Sequence, residues 1–460
     1  MNLMSSVDFA RLLLRPRSLR VAAILLFALS FSSGRAQTNS LGRAATSSPN
    51  WVVTNSVPGT NEITFDQFLN EVAAANLDYA AQRYTVSIAE AAIAAAKEFQ
   101  NPTLQLNAGR DITHGGSERL PSSYGASLTQ TIETGGKRKY RILGARQSYA
   151  AAAATLDGFL RNLKLDAAAA FADALALSRS AEQKRESAKY LTRLAQTQRD
   201  RFRAGDISQA DMLQTQVEEQ QFQNEVLAAD ADFQNASIAL SGFLGRDRGR
   251  TLLVPKGNLE TATRALDLPK LLADALRDRA DLVALRRARD AAQSKVREEK
   301  ANRIPNVDLG AAWTHNTTSE NSVAPSPQFD DLGLTLSLPI PLWNRNQAAI
   351  ASARYSAEQA QKQLEAAELK AEVQIRQALN SYESAVERVR HFQSGILKDA
   401  DAVLEAKRFS YQRGQSTLLE LLDAQRTDNE VRSSYNDALA DKAKALIEVD
   451  RAAQLWEILF

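Results

Sequence analysis

Two stretches decide how this sequence is read: FRAGDISQADML, Phe202 to Leu213, and YQRGQSTLLELL, Tyr411 to Leu422. Each places an aromatic residue three positions before a glycine, Gly205 or Gly414, and each glycine lies between long segments rich in Ala, Leu, Gln, Glu, Lys and Arg. A glycine closes one helix and admits the next because it enters the left-handed conformation without a Cβ penalty. Two long helical hairpins are therefore predicted.

Proline placement says how long they are. The twelve prolines stand at 16, 49, 58, 102, 121, 255, 269, 305, 325, 327, 339 and 341, which leaves 122–254 and 342–460 free of them. Since an interior proline costs a helix about 3 kcal/mol, 136–202 and 345–411 can each run as one nearly continuous helix, about 100 Å long at 1.5 Å per residue. A compact domain has no room for that.

Four segments follow a different period. Thr103 to Ile112, Tyr124 to Ile132, Val307 to His315 and Leu332 to Ile340 alternate apolar and polar residues, most clearly at Leu332, Leu334, Leu336, Leu338 and Ile340. Each has about the 9 to 11 residues of a bilayer-crossing strand. Polar, turn-rich loops join them in pairs, and His114 and His315, ending the first strand of each pair, read as loop residues. Ahead of the first pair, Thr64 caps a helix that runs to about Glu98, with Phe65, Phe68, Leu69 and Val72 on one face.

The pieces occur twice. Asn101-Pro102 matches Ile304-Pro305 and Asp78 matches Asp281, as Ala145-Arg146 matches Ala353-Arg354 and Gly205 matches Gly414. The chain divides accordingly into a first repeat at 64–245, an irregular connector at 246–267 and a second repeat at 268–460. Residues 1–36 read as a secretory signal peptide, with Arg11, Arg15, Arg17 and Arg20 before the apolar run Val21 to Phe31, and 37–63 as an extended leader. No later segment is apolar enough for a transmembrane helix, so entry into a membrane would have to be by strands. Four strands cannot close a barrel, and an open edge is not tolerated in lipid, so several copies must contribute.

Composition narrows the function. With 56 basic and 54 acidic residues, the balance gives no reason to expect nucleic acid, and the absence of cysteine excludes disulfides, thiolate metal sites and a lipidated N-terminal Cys. Three histidines, without a phosphate loop, nucleophile elbow or metalloprotease helix, offer no catalytic constellation, so neither an enzyme nor a cofactor is expected. An exported coiled-coil structural or adaptor protein, its strands in water, is the competing reading.

From about Thr64 to its end the chain resembles the TolC-type family of outer-membrane efflux channels. The resemblance is carried by the two Pro-led strand pairs, Gly135-Gly136-Lys137-Arg138 after the second strand, Pro339 to Asn346 (PIPLWNRN) at the matching place, and the two Gly hairpins. It implies a mainly α fold with a small β part: a homotrimer with a periplasmic α-barrel of long hairpins and a 12-stranded outer-membrane β-barrel, four strands per chain. It also implies a periplasmic adaptor and an inner-membrane pump as partners. The GGKR and PxPLWNRN forms look most like the branch serving resistance-nodulation-division pumps for divalent heavy metals, while channels for drugs or exported polypeptides share parts of them.

Residue roles follow from the same resemblance. Glu420 and Asp423, three apart and so on one helix face, match acids that line the periplasmic entrance and favour cations. Tyr411 and Asp211 match a latch that keeps the entrance closed; a basic member of that latch would fall at Ser416, with Arg413 nearby as a substitute. The tips, with Phe202, Arg203, Gly205, Tyr411, Arg413 and Gly414, match the adaptor contacts. Apart from the resemblance, the basic run 135–141 at a strand-to-helix junction reads equally as a contact for anionic head groups or as a solvated helix start.

Overall fold

The computed structural model describes residues 59–110, 121–245, 251–260, 262–320 and 325–455, all within the compact unit 58–460. The signal peptide, nearly all of the leader and His114 lie outside the described residues. The order of elements is β1 (Gly59–Thr64), α1 (Phe65–Ala75), α2 (Leu77–Lys97), β2 (Thr103–Arg110), β3 (Ser122–Ile132), α3 (Lys137–Arg203), α4 (Gln209–Phe243) and β4 (Thr251–Lys256). A second series follows: α5 (Leu268–Asp278), α6 (Ala280–Asn302), β5 (Val307–Asn316), β6 (Phe329–Ser337), α7 (Gln347–His391), a π-turn (Phe392–Ile396), α8 (Leu397–Gln412) and α9 (Leu418–Ala453).

The helix expected from Thr64 to Glu98 is two helices, α1 and α2, broken at Asn76 by an extended backbone (φ −66°, ψ 125°). Asn76 itself stabilises the break, since its side chain accepts from the Tyr79 N–H at 2.9 Å and donates to the Phe243 carbonyl at 3.1 Å. Arg279 breaks the second series in the same way, at φ −56° and ψ 124°, with its guanidinium on Asp281 and on the Ala452 carbonyl. No helix breaker marks either joint, because the residue there works through a remote partner.

The first long helix is as long as expected: α3 spans 67 residues, about 100 Å. Its counterpart runs without a gap from Gln347 to Gln412, but a π-turn at Phe392–Ile396 kinks it between α7 and α8. Gly395 sits inside that turn with an extended φ of 176°. Wide turns of this kind change the course of a helix without breaking it.

Two short strands arise where no alternation announces them. β1, at the end of the leader, pairs in parallel with β4 inside the connector, Ile63 opposite Pro255, so neither segment is wholly irregular. Local reading misses such a pair because its halves are nearly two hundred residues apart. Beside it, Phe65, Phe68 and Val72 of α1 are buried with Ala167, Ala168 and Phe171 of α3, Leu240 of α4 and Ile447 of α9. Phe171 meets Phe65 and Phe68 at centroid distances of 5.4 and 5.7 Å, and the alanines let the helices approach closely enough for these rings to fill the gap.

All four predicted long strands form, in one antiparallel sheet of order β2-β3-β5-β6. Its register aligns Leu104 with Leu128, Leu128 with Ala311, and Ala311 with Leu334. One face is consequently apolar, with Leu104, Leu106, Leu309, Trp313, Leu332, Leu334 and Leu336 exposed on it. The other carries Gln105, Asn107, Ser127, Thr129, Asp308, Thr314 and Thr335. β6 stops at Ser337, short of the expected Ile340, because Pro339 and Pro341 have no N–H to give the ladder. His315 lies on the apolar face, stacked on Trp313 with Nδ1 2.8 Å from Asp330, at a strand end as read from the sequence.

Both long helices start from a left-handed N-cap, Gly136 (φ 74°) and Asn346 (φ 60°). Asn346 tolerates the conformation because its amide donates to the carbonyl and carboxylate of Glu299, at 2.9 and 2.8 Å. Three members of the basic run beside Gly136 bond to this junction, while Lys139 is exposed. Lys137 donates to Asn306, Arg138 to the Lys97 carbonyl, and Arg141 pairs with Glu133 at 2.7 Å.

Candidate functional site

The tips of the two hairpins are built alike. Gly205 (φ 85°) ends α3 as Gly414 (φ 73°) ends α8, and the next residue's N–H reaches back five positions, Asp206 to the Arg201 carbonyl at 2.9 Å and Gln415 to that of Ser410 at 2.8 Å. Ser208 and Thr417 then cap the returning helices, accepting from the backbone N–H of Asp211 and Glu420 at 3.1 and 3.3 Å. Asp211 and Glu420 thus hold the same place, third in the helix, where a carboxylate also meets the positive end of the dipole. The following turn differs, with Gln214 in α4 but Asp423 in α9.

Glu420 and Asp423 are exposed on one face of α9, and each has a basic neighbour in its own chain. Lys407 donates to Glu420 at 2.6 Å and holds its carboxyl below the usual range, aided by Thr417. Arg426 pairs with Asp423 at 2.6 Å. Ion pairs at the surface are weak, so neither pair locks its carboxylate in place.

Tyr411 and Asp211 do not meet within the chain. The Tyr411 hydroxyl accepts from the Gln198 amide at 2.5 Å and from the Arg201 guanidinium at 3.3 Å, both on α3, while Asp211 stays with Ser208. Within the chain Arg413 stacks on Phe409 at 4.1 Å, and the positive charge at Tyr411 comes from Arg201. Sequence reasoning missed Gln198 and Arg201 because they stand on the other hairpin, more than two hundred positions away. The only local signal was their spacing, one turn apart on the face of α3 that ends at the first tip. Phe202 and Arg203 are exposed beside them, Arg203 holding Asp200 loosely at 3.4 Å.

Below the tips, Leu191 of α3, Phe222 of α4 and Leu418 and Leu422 of α9 form one buried cluster with Tyr411 against it. Arg408 stacks on Tyr190 at 4.3 Å and donates to Gln425 at 2.8 Å. The two hairpins of one chain are thus packed together at the end that carries the carboxylates.

An apolar sheet face and long hairpins with charged tips define the subunit of a membrane pore that continues into a helical barrel. The sheet's edges run in opposite directions, β2 at one and β6 at the other, so rotation-related copies set β6 of one antiparallel to β2 of the next. No described helix is long and apolar enough to cross a membrane.

The chain belongs to the family described as outer membrane efflux protein, whose model matches residues 68–246 and 271–453. It is 25% identical over 415 residues to the cobalt-zinc-cadmium resistance protein CzcC of Cupriavidus metallidurans, covering 88% of this chain and 96% of that one. To the outer membrane protein TolC of Escherichia coli it is 24% identical over 361 residues, covering 74% and 72%. The crystal structure of CusC superposes with a TM-score of 0.70 at 17% identity, covering 85% of this chain and 91% of CusC. The protein is an outer-membrane efflux channel, its strands in the membrane and its hairpins in the periplasm.

Proposed function

We propose that three copies form a passive duct for divalent metal cations, fed by an inner-membrane pump through a periplasmic adaptor. The carrying observation is the pair Glu420 and Asp423, exposed one turn apart at the second tip. In a trimer they make two rings of three carboxylates, which attract divalent ions and let them exchange against Lys407 and Arg426. The likeness to CzcC supports the cargo class.

In this reading the tips, with Phe202, Arg203, Gly205, Tyr411, Arg413 and Gly414, seat the adaptor. Tyr411 with Gln198 and Arg201 ties the second hairpin to the first, and Asp211 is presented to the neighbouring copy as the other half of the latch. The test is deletion of the gene, scoring growth in cobalt, zinc and cadmium against growth in hydrophobic drugs. Loss of metal tolerance alone is expected. Unchanged metal tolerance with heightened drug sensitivity would move the channel to another cargo.

A further inference from the structure

The apolar face of the sheet ends before the sheet does. Going away from the helices, Leu104, Leu128, Ala311 and Leu334 form one row across the four strands, and Leu106, Ala126, Trp313 and Leu332 the next. The row after that is Ala108, Tyr124, His315 and Asp330, and beyond it stand Arg110, Ser122 and Thr317. Within one two-residue step the same face passes from aliphatic side chains to ionisable ones. Tyr124 and Trp313, 51% and 46% exposed, stand on either side of the change, where amphipathic rings settle at a membrane surface.

Charge is sorted between the two faces as well. Arg110 is the only lysine or arginine in β2, β3, β5 and β6, and it shares the apolar face with His315, whereas Asp308 and Asp331 lie on the other face. The remaining acid of these strands, Asp330, is engaged by His315, whose Nδ1 is 2.8 Å from its carboxylate and whose ring stacks on Trp313. Nε2 of His315 and the exposed guanidinium of Arg110 have no partner among the described residues.

An ion pair and a bare guanidinium on a lipid-facing strand are tolerated at the height of the headgroups, since their cost falls with distance from the bilayer centre. The hydrocarbon therefore ends between the row of Trp313 and the row of His315. Because α2, α3, α6 and α7 all attach at the opposite end of the strands, the charged rows belong to the outer leaflet.

We propose that Arg110 and His315 bind the phosphate-bearing headgroups of outer-leaflet lipid, at three equivalent places around the trimer. This rests on the chain being a subunit of a barrel that spans the outer membrane. The guanidinium offers a phosphate two parallel, charge-assisted donors. An imidazolium donates from both nitrogens, so His315 holds Asp330 with one and meets the headgroup layer with the other. The acids that would repel a phosphate, Asp308 and Asp331, are turned to the far side of the sheet.

The test titrates the full-length trimer, checked on unboiled gels, with lipid A and with its dephosphorylated form. Lipid A should bind Arg110→Ala about tenfold more weakly than the parent, with Arg110→Lys in between, as the loss of a charge-assisted hydrogen bond requires. The dephosphorylated lipid should bind parent and variants alike. Equal affinity of parent and Arg110→Ala for lipid A, or its displacement by inorganic phosphate, overturns the headgroup site. The absence of cysteine allows a separate check of the spanning reading with a water-soluble maleimide on outer membranes. Ser122→Cys should react and Leu334→Cys should be protected. Reaction at both overturns the lipid cover of this face and the site with it, and protection at both places Arg110 in hydrocarbon and overturns the depth.

Discussion

Gln198, fully buried on α3, donates its side-chain amide to the hydroxyl of Tyr411 on α8 and so joins the two hairpins of one chain just above their tips. Tyr411→Phe removes the acceptor and leaves the Gln198 amide without a partner among the described residues, since Oε1 already has none. An unsatisfied buried amide costs about 1–3 kcal/mol, which would shift a closed entrance toward an open one by roughly fivefold to a hundredfold per copy. Single-channel conductance in planar bilayers should rise, and Gln198→Leu with Tyr411→Phe should open the entrance while restoring thermal stability. An unchanged conductance removes the latch.

Replacing Glu420 and Asp423 by Ala should reduce block by divalent cations about tenfold or more in the same recordings and lower cation over anion selectivity. Lys407→Ala, which frees Glu420 of its partner, should do the reverse. Equal block in all three channels would show that the carboxylates serve only to cap α9.

Glu299 gives the β-to-α junction a pH dependence with a definite sign. Hydrogen bonds from Lys295, Asn346 and Asn302 lower its carboxyl from 4.5 to about 2. A group depressed in the folded state contributes stability that is whole above the unfolded value and is lost as pH falls through the folded one. The trimer's thermal midpoint should therefore drop between pH 4.5 and 2, and Glu299→Gln should flatten that part of the curve while lowering the midpoint at pH 7. A parallel slope in parent and variant would locate the acid sensitivity elsewhere.

Phe68 has no exposed surface and touches both Phe171 and Phe243. Phe68→Ala should cost about 3–5 kcal/mol, read as loss of the heat-resistant trimer on gels, whereas Phe202→Ala at the exposed tip should leave it intact. A heat-resistant trimer retained in Phe68→Ala would mean that the α1 contact contributes little to stability.

The parts of the fold legible in sequence are those with a local cause. Gly205 and Gly414 announce the hairpins because the left-handed turn needs them, and the alternation around Leu334 announces a strand because one face meets a different medium. What escaped depends on distant partners: the joint at Asn76 needs the Phe243 carbonyl, β1 needs β4, and Tyr411 needs Gln198 and Arg201. At the tips, the spacing of Glu420 and Asp423 was readable, but their pairing with Lys407 and Arg426 was not, since Lys407 reaches Glu420 from the preceding helix.

The π-turn at Phe392–Ile396 also has a consequence for timing around the helix axis. One residue more or less in a helix swings everything after it by about 100°, a little over a quarter of a revolution. Tyr411 faces Gln198 only because the count of residues between them and this wide turn is right. The angular phase of the second hairpin is thus set fifteen residues above its tip, at the one place where its winding departs from that of the first.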